Sequence, residues 1–405
     1  MSALRTASAT ASAPGTSAAS GPARAPRRRG GTVLDAPTLL LTSAIVLLGL
    51  IMVTSASISL AGRAGEPFAF LERQLSLALA GSVAAVVTFC VPTERWQKGA
   101  LPLLLLAAVL LLLVLIPGIG HVVNGSRRWL RLAGLSFQVS EAARVLALIY
   151  VAGYAVRYEE PLRENAAALV KPLALLGLLA LLLLLEPDFG AASVLFVSGF
   201  ALLFLAGARL RFLLLMLLAA GGSMALLVRF SPYRLHRFTA FLNPWADPFN
   251  GGFQLTQSLI AIGRGAWFGV GLGASVQKLF YLPEAHTDFL FAVLAEELGL
   301  AGVAVTLALF LGLTWRAFVI ARRAFDAGLK FASYLASGFG LWLGVQAFIN
   351  IGVNMGVLPT KGLTLPFMSY GRSSLIVTLA WLGILLRVNH EAVLCSRRAP
   401  REAGV

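Results

Sequence analysis

From Leu39 to Ile58 the chain runs without one charged residue, and Leu101 to Ile116 and Leu173 to Leu185 are almost wholly aliphatic. About 20 such residues cross the hydrocarbon of a bilayer at the helical rise. In that solvent each segment must satisfy its own backbone N–H and C=O groups, and these runs lack the polar alternation of barrel strands. They read as membrane helices. Composition agrees, because charged residues make up 13% of the chain, about half of the roughly 25% that a soluble domain carries.

Ten spans are predicted, beginning near Leu39, Leu75, Gly99, Ala142, Leu169, Phe189, Leu210, Phe289, Phe331 and Pro366. The fold class is an all-α integral membrane protein, a bundle of about ten helices with a long outer loop between helices 7 and 8. Residues 1–36 are rich in Ala, Ser, Pro and Gly, end in Arg27, Arg28 and Arg29, and read as a disordered basic tail. Residues 37–390 form the polytopic domain and 391–405 a second tail. With both tails cytoplasmic, inner segments hold nearly twice as many Lys and Arg as outer ones, as the positive-inside rule requires. Trp96 and Trp315 then fall at inner edges, and Trp129, Trp245 and Trp267 at outer ones.

The formal charge of +15 follows this topology and does not gather into one nucleic-acid-binding face. Cys90 and Cys395 are the only cysteines, so no disulfide framework is expected. Four scattered histidines give no metal-ligand spacing. The glycines from Gly263 to Gly273 match neither a phosphate-binding loop nor the dinucleotide fingerprint, and no serine sits in a nucleophile elbow.

Two outer segments oppose the insertion bias. Pro117–Gln138 carries Arg127, Arg128 and Arg131 with no acid, and reads as a connecting loop. Arg229–Thr287 is far longer than a connector needs. It carries Arg234, His236, Arg237, Arg264 and Lys278, and Leu255, Leu259 and Ile262 recur in it at the spacing of a helix lying on the membrane. Arg127, Arg128, Lys278, Lys361 and Arg372 are suited to a phosphate-bearing ligand, or are scattered solvated charge, which long loops tolerate. The break Leu358–Pro366 holds two prolines and Lys361, a pattern tolerated where backbone lines a cavity.

Ionisable residues at membrane depth are costly and mark functional sites or neutralising pairs. Glu141 and Arg144, spaced i, i+3, share one helix face. Asp188 follows Glu186-Pro187 and is placed either to cap a helix or to serve a site. Asp288 has the same two readings. Glu284, His286, Thr287, Lys278, Glu296 and Glu297 crowd around it in sequence, and a carboxylate at the mouth of a bundle becomes a general base when burial lifts its pKa.

These residues carry a resemblance. The stretches Asn124–Trp129, Phe137–Glu141, Glu186–Gly190, Gly252–Ser258, Gln277–Phe289 and Leu358–Ser374 resemble the SEDS family (shape, elongation, division, sporulation) over roughly Leu39 to His390. The wording of Lys278–Ala285 is closer to its division members than to its elongation members. The resemblance implies a ten-helix bundle that polymerises lipid II into glycan strands at the outer face of the bacterial cytoplasmic membrane, during septal wall synthesis. It implies a class B penicillin-binding protein and other divisome proteins as partners, alongside membrane lipid. Asp288 falls on the family's essential acid, and Ser140 and Glu141 on its Ser-Glu pair. Trp129, Arg144, Asp188, His286, Ser369 and Ser374 join the outer cations as candidate substrate contacts. No cofactor is required, although a divalent cation, Mg2+ or Mn2+, is compatible with a pyrophosphate leaving group. The chain departs from the family with Val139 for a proline, Arg144 for a lysine, and Arg372 for a glycine. A lipid II flippase and a non-catalytic scaffold are the rival functions, since broken helices and intramembrane charge also suit transport.

Overall fold

The structure, a computed structural model, describes residues 33–402 apart from Ala64, 124–125, 133–134, Lys361 and most of 213–240. The N-terminal tail, Asn124-Gly125, Lys361, Arg234, His236, Arg237 and most of the seventh expected span therefore lie outside the described residues.

Nine apolar helices stand where nine of the ten spans are expected among the described residues. They are α1 (Ala36–Arg63), α2 (Ala69–Cys90), α4 (Ala100–Leu115), α5 (Val139–Arg157), α7 (Ala167–Leu185), α8 (Phe189–Leu205), α10 (Leu290–Asp326), α11 (Lys330–Asn354) and α12 (Arg372–Glu402). Seven of them are long and apolar enough to cross a membrane, and α4 and α8 are shorter. The chain is a multi-pass membrane protein. Short helices α3 (Thr93–Lys98) and α6 (Glu159–Glu164) lie between spans, and α9 (Phe253–Gly265) lies in the long loop. That loop helix appears where the Leu255/Leu259/Ile262 spacing places it, and it packs on α10.

The helices differ in how much they bury. The most apolar stretches of α5 and α11 are 78% and 72% buried, whereas that of α2 is 11% buried. This identifies α5 and α11 as the centre of the bundle and α2 as its lipid-facing edge. Leu79, Val83, Val86 and Val87 of α2 are accordingly exposed, which costs nothing in hydrocarbon.

The segment read as a loop before α5 is instead an antiparallel sheet. Its strands β1 (Gly120–Val123), β2 (Ser126–Leu132) and β3 (Leu135–Gln138) pair in the order β1-β2-β3. Three strands outside the hydrocarbon satisfy backbone groups that a bare loop would leave to water. The pairing of Trp129 with Gln138 and Leu130 with Phe137 sets β2 against the start of α5.

Helix α10 has 37 residues, about 55 Å at the helical rise, against roughly 30 Å of hydrocarbon. It breaks at Gly299, with φ 63° and ψ −161°. Residues Leu290–Glu297 above the break are all buried, and lipid-exposed side chains begin at Leu300. The loop after α9 mends the break. Val270 and Gly271 donate to the carbonyls of Glu296 and Glu297 at 3.0 and 3.1 Å, and Leu300 and Ala301 donate to Ala266 and Trp267 at 2.9 and 3.1 Å. Backbone groups freed by the break are thus satisfied within the protein, as the bilayer demands.

A Cβ at Gly299 would lie 2.3 Å from the Gly269 nitrogen. Gly299→Ala should therefore destabilise the protein by more than the about 1–3 kcal/mol of a strained left-handed residue. Gly177→Ala, at a helical position with nothing within 4 Å, should leave the melting temperature unchanged or raise it. Thermal unfolding of the two variants in detergent checks the contrast.

Candidate active site

Where the sheet meets the first turns of α5, α8 and α12 and the loops before α10 and α12, the protein encloses a cavity of about 1290 Å3. Alternating spans bring these ends together. The cavity gathers nine of the residues singled out in sequence: Arg128 and Trp129 from β2, Glu141 and Arg144 from α5, Asp188 before α8, His286 and Asp288 before α10, and Arg372 and Ser374 from α12.

Two of its three candidate carboxylates are engaged. Asp188 caps α8, accepting from the Ala191 nitrogen at 3.0 Å, and its other oxygen accepts from Ser140 Oγ at 3.1 Å and Gln138 Nε2 at 3.4 Å. Capping and cavity-lining belong to the same side chain, and Ser140 sits behind it, outside the lining. Glu141 forms a buried ion pair with Arg144. The Arg144 guanidinium also donates to Ser140 O at 3.2 Å and Gln346 Oε1 at 2.8 Å, and Gln346 in turn donates to Thr364 O at 3.0 Å. Removing either member of such a pair leaves a buried charge uncompensated.

Asp288 differs. Its backbone carbonyl accepts from Asn350 Nδ2 at 3.0 Å and Asn354 Nδ2 at 3.1 Å, which ties it to α11. A Cβ at Gly362 would lie 2.9 Å from Asp288 Oδ2, so the break before α12 closes directly over the carboxylate. Burial, with Glu284 and Asp188 adding nearby negative charge and Arg128 opposing them, pushes the Asp288 carboxyl up to about 7. Burial likewise holds the His286 imidazole below its usual value, against the pull of Glu284. That ring meets Phe70 edge-on at 4.9 Å and Tyr370 at 5.7 Å, and the Tyr370 nitrogen donates to His286 O at 3.0 Å.

The cations divide in the same way. Arg128 donates to the carbonyls of Glu186 and Pro187 at 3.0 and 2.6 Å. Arg372, exposed at the rim, has no hydrogen bond or ion pair among the described residues.

Among the described residues three candidates besides Ser140 stand apart from the cavity. Arg127 turns away and donates to Leu115 O at 3.0 Å. Ser369 is buried and accepts from the Leu365 nitrogen at 3.0 Å. Lys278 is buried with Glu297, Nζ to Oε1 2.9 Å, so its charge is neutralised inside the protein. Lys361 lies outside the described residues. Among the described residues no group of three His, Cys, Asp or Glu side chains converges as a metal-ligand set.

Sequence reasoning passed over Gln346, Asn350 and Asn354. The signal was present, since three amides at i, i+4 and i+8 on an apolar helix form one polar stripe. Glu186 was also passed over as a site residue. It is buried with both oxygens lacking a hydrogen bond among the described residues, and burial with the Asp188 charge pushes it up to about 8.

The family model for FtsW, RodA and SpoVE, described as a cell cycle protein, matches residues 36–393. A probable peptidoglycan glycosyltransferase FtsW of Thioalkalivibrio sulfidiphilus is 56% identical over 361 residues, 89% of this chain and 90% of the relative. A chain from a solved structure on the structural coordination of polymerization and crosslinking by a peptidoglycan synthase complex superposes with a TM-score of 0.74 at 32% identity. That match covers 89% of this chain and 99% of the other. The rod shape determining protein RodA of Thermus thermophilus superposes at 0.66 with 31% identity, over 89% and 97%. This chain belongs to the FtsW/RodA/SpoVE family of cell cycle proteins.

Proposed function

We propose that this chain is a peptidoglycan glycosyltransferase that polymerises lipid II into glycan strands for septal wall synthesis, with Asp288 as general base. The reading is carried by one observation. Asp288 is the cavity acid whose backbone is fixed by two amides, while its carboxylate accepts no hydrogen bond from a described residue. Asp188 and Glu141 are already spent on a helix cap and an ion pair.

In the reaction a sugar hydroxyl of one lipid-linked substrate attacks the anomeric carbon of another. The new glycosidic bond forms as the bond to undecaprenyl pyrophosphate breaks. Asp288 takes the hydroxyl proton, and a carboxylate titrating near 7 suits that task at neutral pH. Arg372 faces the negative charge that develops on the departing diphosphate. A divalent cation, Mg2+ or Mn2+, would ride on that diphosphate, since Mg2+ needs only one or two carboxylates beside phosphate oxygens; no step above requires it. The cavity opens on the outer face of the cytoplasmic membrane, with both chain ends inside. A class B penicillin-binding protein that crosslinks the product is the partner, and the synthase complex among the structural relatives supports this. The other substrate contacts are Arg128, Trp129, His286 and Ser374 on the cavity wall, and Lys361 beside Gly362.

Removal of the base has a defined cost. Asp288→Asn should lower lipid II polymerisation by about 10²–10⁴-fold, the usual contribution of a general base, in a purified assay with the partner present. Wild-type strands from Asp288→Asn would hand the case to a flippase or a scaffold.

The pH dependence follows from the direction of the shift. The folded carboxyl titrates near 7, so the active, ionised form is lost as pH falls through 7. The polymerisation rate should drop about tenfold per unit below that point, and a rate flat down to pH 5 would exclude Asp288 as the base. A charge-assisted bond to phosphate is worth about 1.5–3 kcal/mol. Arg372→Gly should accordingly lower kcat/KM for lipid II by about 10- to 100-fold, read from initial rates.

A further inference from the structure

Glu296 and Glu297 are wholly buried near the top of α10, and neither lines the cavity. The Glu296 carboxylate accepts from Ser275 Oγ, from the Val276 nitrogen at 3.2 Å and from the Gln277 nitrogen at 3.4 Å, and lies 3.5 Å from Arg264 Nη1. Glu297 accepts from Ser55 Oγ at 2.7 Å, Lys278 Nζ at 2.9 Å and the Ser275 nitrogen at 3.4 Å. Lys278 Nζ also reaches Ser55 Oγ at 3.0 Å. Two acids and two bases therefore join α1, α9, α10 and the 275–278 segment, and every partner comes from an element other than α10.

The same segment continues to Asp288. Its far end is fixed by Asn350 and Asn354 and by the Tyr370 bond to His286 O. Between the two anchors Phe280 and Glu284 hold left-handed φ angles of 69° and 55°. Such residues persist only where the surroundings over-determine them. A strained segment clamped at both ends loads both clamps, so releasing the one at Lys278 changes the load on the other, at Asp288.

We propose that the buried Lys278–Glu297 pair, bridged by Ser55, is a positioning device for the catalytic loop that sets where Asp288 stands in the cavity. This rests on the reading of Asp288 as the base. Lys278 and Glu297 act through that residue and touch no substrate. With the pair removed, the loop relaxes and water reaches the carboxylate, which becomes a weaker and misplaced base. The groups facing it are unchanged: Glu284 and His286 on its own loop, Arg128 from β2 and Asp188 before α8.

The test is the pH profile of lipid II polymerisation by full-length protein with its penicillin-binding partner. The variants are Lys278→Met/Glu297→Gln and Ser55→Ala. The double variant removes both buried charges together, so no lone charge remains to unfold the protein, and Ser55→Ala removes only the bridge. For the double variant kcat should fall about tenfold or more, as a misplaced base implies. The KM for lipid II should stay within about twofold, and the acid limb should move to lower pH by about half a unit or more as the carboxyl regains water. Ser55→Ala should move the limb the same way by less. Wild-type limbs in both variants, with or without loss of kcat, would overturn the proposal, since a merely structural role lowers amplitude without moving a titration. An inactive Asp288→Asn beside such unmoved limbs would leave the base reading standing, whereas a fully active Asp288→Asn would remove both.

Discussion

A charge inside this bundle has to find an opposite charge or a row of donors, and that requirement organises the structure. Hydrophobic contact does not select one helix packing over another in lipid, because the tails are as apolar as leucine. Buried polar groups do select. Arg144 joins α5 to α11 through Gln346, Glu297 joins α10 to α1 through Ser55, and Asp188 joins the α7–α8 turn to α5 through Ser140. At the other end of the bundle, Asp35 accepts from Arg316 and Arg323 and ties the start of α1 to the end of α10. Glu186 is a buried acid left without such a donor among the described residues, and burial with the Asp188 charge pushes its carboxyl up to about 8.

The site depends on where these ties fall. The amide stripe of α11 serves two separate backbone segments, 363–364 and 288–292. Gln346 holds Thr364, Asn350 holds Asp288 and Leu363, and Asn354 holds Asp288 while accepting from the Ala292 nitrogen. One helix face thus sets both the Asp288 loop and the broken segment that closes over it. The most buried helices carry the geometry of the cavity, while α2 at the lipid edge contributes Phe70 against His286.

The spans were legible because they follow from one quantity, the length of uncharged apolar sequence, and nine of the ten have helices among the described residues. The sheet was not. Its strands are four to seven residues long, and in β2 the alternation is hidden by arginines on both faces. Yet Asn124-Gly125 between β1 and β2 is a strong short-range hairpin signal, and it outweighs the arginines once it is weighed as turn chemistry. The acids and arginines of the cavity were legible as a set because charge at membrane depth is rare. Which of them stay available was not legible, since it depends on partners far away in sequence. Lys278 and Arg372 look alike in the sequence. One is 2.9 Å from Glu297 and the other stands at the rim without a partner among the described residues.

The two arginines that depart from the family resemblance fall on opposite sides of that division. Arg144 uses its fork in three directions, toward Glu141, Ser140 O and Gln346. A lysine ammonium is a compact point charge on a flexible stem and does not reproduce that planar spread. At this position the guanidinium is spent on partners within the protein and its charge is paired with Glu141. Arg372 restores a cation at the rim, on a different helix. The free positive charge of the cavity thus stands at the rim, on Arg372, while Arg144 is engaged with Glu141, Ser140 O and Gln346. In a medium that forces charges into pairs, the groups left out of the pairing are the ones available for chemistry. Among the described candidate residues those are the Asp288 carboxylate and the Arg372 guanidinium.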